Sequence, residues 1–235
     1  MRRNNRGNIL FLILLAIVLF VALSYVIMNQ REQVGSGMSK EAADAAAGNI
    51  LSWFSTVDVA VQRLMVVKGY AYYQIDFYDP NNYNYDGSHR YVDNSDCNVP
   101  DCAVFDKNGG GVPSNDFRSY APPTAVAAQP YHVAPGAREY VAKAIQDVGT
   151  PLPDAVIELA LVKREICVAV NRKVGLADCP STSGSGAFAH YESRATIDAS
   201  TSALTGDIKS QTTYCICGTN NGNLTGTIGH VALVR

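Results

Sequence analysis

The pattern of polar and apolar positions is most regular near the start of the chain. Residues 9–28 carry no charged side chain, and Ser24 is nearly their only polar one. A helix of this length is about 30 Å long, which matches the hydrocarbon core of a bilayer. Arg2, Arg3 and Arg6 precede it without any acidic residue. Since a basic flank resists translocation, we expect these arginines to stay cytoplasmic and the following residues to lie outside the inner membrane.

A second helical pattern follows, with its apolar residues on one side only. Residues 30–37 form a polar break, and Ser39 then provides a helix start with the acidic Glu41 in the first turn. Gly69 fits a helix stop. Between these signals we expect an amphipathic helix, because apolar residues recur there in steps of three and four: Ile50, Trp53, Phe54, Val57, Val61, Leu64 and Met65.

The remaining regular patterns lie in the last third of the chain. An apolar run over residues 154–173 predicts one helix, which Gly175 would end. Two strand-like stretches follow at 212–217 and 227–234. Because an Asn-Asn-Gly turn sequence at 220–222 separates them, we expect these strands to form a β-hairpin.

Composition and cysteine usage narrow the class of protein. Only 17% of the residues are charged, the net charge is −2, and lysine and arginine are scattered, so we predict no nucleic-acid partner. All cysteines follow the apolar run, and their even number on the exported side predicts three disulfides. Their spacing does not match a usual zinc-binding set. The six are Cys97, Cys102, Cys167, Cys179, Cys215 and Cys217.

Two of the cysteines constrain the pairing. Cys215 and Cys217 lie two residues apart in a predicted strand, so both side chains point to the same face. Both can then reach Cys167 and Cys179, around the end of the predicted helix. We therefore predict the pairs Cys97–Cys102, Cys167–Cys217 and Cys179–Cys215, with the last two pairs interchangeable.

Motifs for catalysis and for metal binding do not occur. The histidines are far apart and none lies in an HExxH or HxH pattern, and the chain has no GxSxG nucleophile motif. The Gly-rich stretch at 109–111 lacks the following Lys-Ser/Thr of a phosphate-binding loop. We therefore predict no catalytic residue, no cofactor, no metal site and no enzyme activity.

A tyrosine-rich stretch over residues 70–91 has two interpretations. It is either an ordinary strand and loop packed on the rest of the domain, or a surface that contacts sugars or partner subunits. The second interpretation is open because tyrosine offers a large contact area and a hydroxyl group at low entropic cost. The candidate contact residues are Tyr78, Tyr83, Tyr85 and Tyr91.

The N-terminus itself also has several interpretations. It fits an uncleaved signal anchor, and Ala22-Leu23-Ser24 is a passable site for a cleaved signal peptide. The short basic leader MRRNNRG, followed at once by an apolar helix, also resembles the leaders of type IV pilins and type II secretion pseudopilins. That resemblance implies cleavage after Gly7 by a prepilin peptidase, which makes Asn8 the first mature residue. The glutamate common at the fifth mature position of these proteins is replaced here by Leu12.

Further segments resemble a little-characterised group of bacterial pilin-like proteins. They are the anchor GNILFLILLAIVLFVALSY, a short cysteine loop ahead of FDKNGGG, the helix end ICVAVNRKVGL and the C-terminal HVALVR. Residues 138–148 fit either a helix or a strand: the local sequence AKAIQ favours a helix, and the resemblance favours a strand. The resemblance also implies an α+β fold in which a long N-terminal hydrophobic helix precedes a disulfide-stapled head with antiparallel strands. The helix residues expected in the membrane or shaft are Ile9, Leu10, Phe11, Leu12, Leu15 and Phe20.

These patterns combine into one expected organisation and two functional hypotheses. We expect a basic leader at 1–7, a membrane or shaft helix at 8–29, a linker and amphipathic helix at 30–68, and an exported head at 69–235. The first hypothesis is a structural subunit of an extracellular filament or pseudopilus, whose partners are itself or other pilin-like subunits and, before assembly, the inner membrane. The alternative is a membrane-anchored periplasmic or surface binding module that does not polymerise.

Overall fold

A computed structural model describes much of the chain, in two compact units. The described residues are 11, 13–20, 38–77, 94–123, 138–143, 145–150, 154–180, 182–183, 189–190, 205–208, 210–220 and 223–233. The units are Met1–Ser39 and Lys40–Arg235, and the second is called the head domain below. In the first unit the described residues 11 and 13–20 are helical. The head domain is α+β.

The longest helix of the head domain is the predicted amphipathic one. Helix α1 runs from Lys40–Gln62 and continues into a π-helical turn, Arg63–Val67. Gly69 ends it with a φ of +75°, a left-handed conformation that glycine adopts without steric cost. The buried residues recur with helical spacing along one side: Ala43, Ala46, Ala47, Ile50, Trp53, Phe54, Val57, Ala60 and Val61.

The described strands form one antiparallel sheet and a small two-stranded ladder. The strands are β1 (Arg138–Lys143), β2 (Asp154–Lys163), β3 (Thr182–Ser183), β4 (Ala189–His190), β5 (Thr205–Gly206), β6 (Thr213–Asn220) and β7 (Asn223–Leu233). The sheet has the order β4-β1-β2-β7-β6, and the ladder pairs β3 with β5. Residue 220 pairs with residue 223 between β6 and β7, so the predicted C-terminal hairpin is confirmed.

The prediction of one helix over residues 154–173 is wrong in its first half. Residues 154–163 form the central strand β2, between β1 and β7, and helix α2 occupies only Arg164–Val174. Because nearly every residue of β2 is buried, its sequence is a continuous apolar run without strand-like alternation. Gly175 ends α2 as predicted, with a φ of +82°.

The sheet is covered on both faces. On one face, α2 and the Phe54 side of α1 pack against the β6–β7 hairpin, and α1 and α2 contact each other. The other face carries a separate apolar cluster made by residues of β2, β6 and β7 with residues from two irregular segments. The buried members of this cluster are Ile145, Val148, Val156, Ile208, Tyr214 and Val231.

Three disulfides close the head domain. They join Cys97 to Cys102, Cys167 to Cys215 and Cys179 to Cys217. The first pair is as predicted, and the other two form in the interchanged arrangement. Helix α2 decides this pairing, because Asn171, one turn after Cys167, hydrogen-bonds both backbone groups of Cys215. Cys167 is thereby held over Cys215, and both sulfurs are fully buried.

Candidate assembly and binding surfaces

The described part of the first unit exposes apolar side chains in every direction. Its large side chains range from 47% exposed at Leu15 to 71% exposed at Phe20. Hydration of a helix that is apolar on every side is unfavourable, so such a segment needs an apolar environment such as lipid or other helices. The exposed residues are Phe11, Ile13, Leu14, Leu15, Ile17, Val18, Leu19 and Phe20.

Many of the predicted contact residues lie outside the described residues. This applies to the predicted cleavage site and to three of the six predicted shaft residues, and also to all four candidate tyrosines. Phe11, Leu15 and Phe20 are described and helical. The predicted residues that lie outside the described ones are Gly7, Asn8, Ile9, Leu10, Leu12, Tyr78, Tyr83, Tyr85 and Tyr91.

A second exposed apolar surface lies at the C-terminal end of α1. Val59 is 66% exposed, and Val66 and Val67 in the π-helical turn are 82% and 76% exposed. Met65, predicted on the buried side, is also partly exposed at 37%. We call Val59, Met65, Val66 and Val67 the valine patch. The sequence already indicates this patch, because the apolar residues Val59 and Val66 lie outside the predicted buried stripe of the helix.

The π-helical turn that carries the patch is fixed to a neighbouring loop. The guanidinium of Arg63 donates to the carbonyls of Gly109 and Gly110, and the ammonium of Lys68 donates to that of Asn108. Neither glycine can be replaced without movement, because an added Cβ would lie 2.0 Å from the Ala103 carbonyl oxygen or 2.2 Å from that of Val104. The patch therefore sits on a well-tethered part of the head domain.

A hydrogen-bonded chain joins α1 to the sheet. Nε2 of His230 lies 2.8 Å from Oδ1 of Asp58, and Nδ1 lies 2.7 Å from the Thr213 hydroxyl oxygen. Because a carboxylate only accepts, Nε2 carries a proton, and in the neutral ring Nδ1 accepts from Thr213. The Phe54 ring stacks on the imidazole at 4.4 Å. His230 is 6% exposed, so this chain of groups holds α1 on the hairpin.

The opposite face of the sheet buries a tyrosine beside a carboxylate. Tyr214 of β6 lies across Gly229 of β7 toward Glu158 of β2, and the three residues are register neighbours. An added Cβ at Gly229 would lie 2.4 Å from Cζ of Tyr214, so the glycine makes room for the ring. Burial raises the pKa of Tyr214 well above its usual value, and the negative charge of Glu158 raises it further.

An open cleft of about 420 Å³ lies between α1 and the segment after the Gly-rich turn. Its α1 side is formed by Asn49, Ser52, Trp53 and Thr56, and its other side by residues of the range 113–120. Sequence reasoning missed this cleft, because its two sides are separated by about 60 residues. From the sequence, only the helical spacing of the four α1 residues could have indicated that they lie on one side of the helix.

No protein-family model, no curated protein and no solved structure matches this chain. The proposals for its function rest on its residues, on their geometry and on the resemblance of its N-terminal sequence to those of pilins.

Two further properties bear on those proposals. Among the residues that the structure describes, no group of three or more His, Cys, Asp or Glu side chains is placed to hold a metal ion. Within the same residues, the helix Lys40–Val67 is long and apolar enough to cross a membrane, with a mean hydropathy of 1.4. Core helices of soluble domains have the same property, and the burial of Trp53, Phe54 and Val57 explains the apolar side of this one.

Proposed function

We propose that the chain is a pilin-like structural subunit of an extracellular filament or pseudopilus, assembled through its N-terminal apolar helix. The observation that carries the proposal is the helix at residues 11 and 13–20, whose large side chains are all exposed. The head domain has its own buried core and is closed by three disulfides. A head of this kind is suited to an exported, oxidising compartment.

The helix requires the same apolar surroundings before and after assembly. In the inner membrane, lipid chains would cover its side chains, and in a filament the helices of neighbouring subunits would cover them. Because lipid is as apolar as leucine, the exchange is favoured by close side-chain packing rather than by the hydrophobic effect. The valine patch offers a second apolar contact, on the head domain, for a neighbouring subunit.

The processing of the N-terminus tests this proposal directly. We expect the native protein in a sheared extracellular fraction to begin at Asn8, with intact mass and the N-terminal peptide as the measurements. A chain that begins at Met1 and occurs only in the membrane fraction would contradict the proposal.

A charged residue in the helix provides the corresponding assembly test. We expect Leu15→Asp to remove the protein from the sheared fraction, because a carboxylate at a helix–helix contact in an apolar shaft is costly to bury. Ser55→Asp is the matched control, since it adds the same charge to an exposed position of α1. Normal filaments from Leu15→Asp would refute the proposal.

The second candidate function is a membrane-anchored binding module that does not polymerise. The open cleft on the head domain favours it, because hydrogen-bonding side chains of α1 line the cleft. The state of the full chain extracted in mild detergent separates the two candidates. Fibres favour the filament subunit, and monomers favour the binding module.

A further inference from the structure

We propose that the cleft between α1 and residues 113–120 binds a neutral hexose or N-acetylhexosamine, free or as a unit of a glycan. This inference goes beyond the proposed function and does not depend on assembly. The cleft volume of about 420 Å³ lies within the range of about 300–1,000 Å³ typical of small-molecule sites.

One side of the cleft is a stripe of α1 with hydrogen-bonding side chains. Asn49, Ser52, Trp53 and Thr56 are spaced at i, i+3, i+4 and i+7, so they share one side of the helix. Asn49, Ser52 and Thr56 are exposed, and Trp53 is buried beneath them. Amide and hydroxyl groups both donate and accept, which suits them to sugar hydroxyls.

The facing segment is held in place before any ligand binds. The indole Nε1 of Trp53 donates to the carbonyl of Pro113 at 3.2 Å, which fixes the segment to α1. The Asp116 carboxylate accepts from the backbone N–H of Arg118 at 2.9 Å and from its guanidinium at 2.6 Å. Such preorganisation lowers the entropic cost of binding.

A row of aromatic rings leads from the core to the cleft. Trp53 stacks on Phe105 at 6.0 Å and meets Phe117 edge-on at 5.3 Å, and Phe117 lies 5.8 Å from Tyr120. Tyr120 is half-buried and forms the outer end of this row. Its ring contacts that of Phe117 at a tilt of 40°, and its hydroxyl accepts from the Asn49 amide at 3.4 Å across the cleft.

The chemistry of the lining indicates a neutral polar ligand. Among the described residues that line the cleft, Asp116 carries the only charge, and it is paired with Arg118. The described lining therefore offers no net attraction for a phosphate or a cation. The aromatic end at Tyr120 suits the C–H face of a pyranose ring, and the amide of Asn115 and the α1 stripe suit its hydroxyl groups. A large apolar ligand would leave these polar groups without hydrogen bonds.

The sole tryptophan makes the cleft observable, since Trp53 is part of its wall. The full chain in a zwitterionic detergent without a sugar headgroup would be titrated with glucose, galactose, mannose and N-acetylglucosamine. We expect at least one of them to produce a saturable change in Trp53 fluorescence and a saturation-transfer NMR signal. The titration runs to about 50 mM, so that even a site with a millimolar dissociation constant would be saturated. If none of the four sugars gives either signal, the proposal is overturned.

Variants locate the binding. We expect Tyr120→Ala to weaken binding about tenfold, a loss in the range measured for aromatic contacts, and Tyr120→Phe to retain most of it. Asn115→Ala removes an exposed amide without touching the core, and we expect weaker binding from it as well. Tyr70→Ala, at a half-buried tyrosine outside the cleft, is the matched control and should bind normally. Unchanged binding in both Tyr120→Ala and Asn115→Ala would overturn the proposal.

Discussion

Two apolar helical segments among the described residues differ in whether their apolar side chains are exposed or buried. The segment at residues 11 and 13–20 exposes all its large side chains, by 47–71%. Helix α1 is also apolar enough to cross a membrane by composition. Yet its stripe from Ala43 to Val61 is buried in the head domain, and polar residues occupy much of its other side.

This difference indicates that hydropathy alone does not identify a membrane or assembly helix. What separates the two segments is the distribution of apolar residues around the helix. One sheet face can bury an apolar stripe on one side of a helix. A helix that is apolar on every side instead needs apolar surroundings, such as lipid or neighbouring helices, on every side. The head domain should therefore keep its stability when the first segment is altered, and lose it when α1 is altered.

Truncating one phenylalanine in each segment gives the largest expected difference. Phe54→Ala should lower the free energy of unfolding of the head domain by about 3–5 kcal/mol, because the ring is 1% exposed and stacks on His230. Phe20→Ala should change it by less than about 0.5 kcal/mol, as expected for an exposed position.

Urea unfolding of the full chain in detergent, followed by Trp53 fluorescence, measures both variants. Because Trp53 lies in α1, the signal reports the head domain and not the N-terminal segment. Comparable losses in Phe54→Ala and Phe20→Ala would mean that the two segments do not differ as described.

Local signals in the sequence were sufficient for some elements of the head domain. The apolar stripe and Gly69 predicted α1 and its end, and the Asn-Asn-Gly turn predicted the hairpin of β6 and β7. Each of these rests on residues close together in the chain. For β2 the local signal was misleading, since a strand covered on both faces has the same unbroken apolar sequence as a buried helix segment.

The candidate cleft and the polar contacts of the core required the three-dimensional structure. Asn49 and Tyr120 are 71 residues apart, and Asp58 and His230 are 172 residues apart. Nothing in either local sequence identifies the partner. The N-terminal apolar segment could be interpreted from its sequence alone, because its uniformly apolar composition already predicts a helix without a polar side.

Two aspartates of α1 test whether the helix is held to the sheet by the buried chain of polar groups. Asp58→Ala should cost about 1–3 kcal/mol, because it leaves the buried Nε2–H of His230 without its acceptor. Asp44→Ala is the control, since Asp44 only approaches Arg172 at 3.8 Å on the surface, and it should cost less than about 1 kcal/mol. Equal losses in urea unfolding would mean that the contact between Asp58 and His230 does not fix α1.

The smallest expected effect tests the other side of the sheet at alkaline pH. Because burial raises the pKa of Tyr214, the unfolded chain releases the phenol proton at a lower pH than the folded chain does. The stabilisation is therefore complete below about pH 10 and is lost as the pH rises toward the folded pKa, by about 1.4 kcal/mol per pH unit. Tyr214→Phe lacks this proton, so the difference in unfolding free energy between it and the wild type should change between pH 9 and pH 11. A constant difference would mean that Tyr214 ionises as readily in the folded head domain as in the unfolded chain. Tyr214 would then not be shielded from water, in contrast to the residues on the helix-covered face of the sheet.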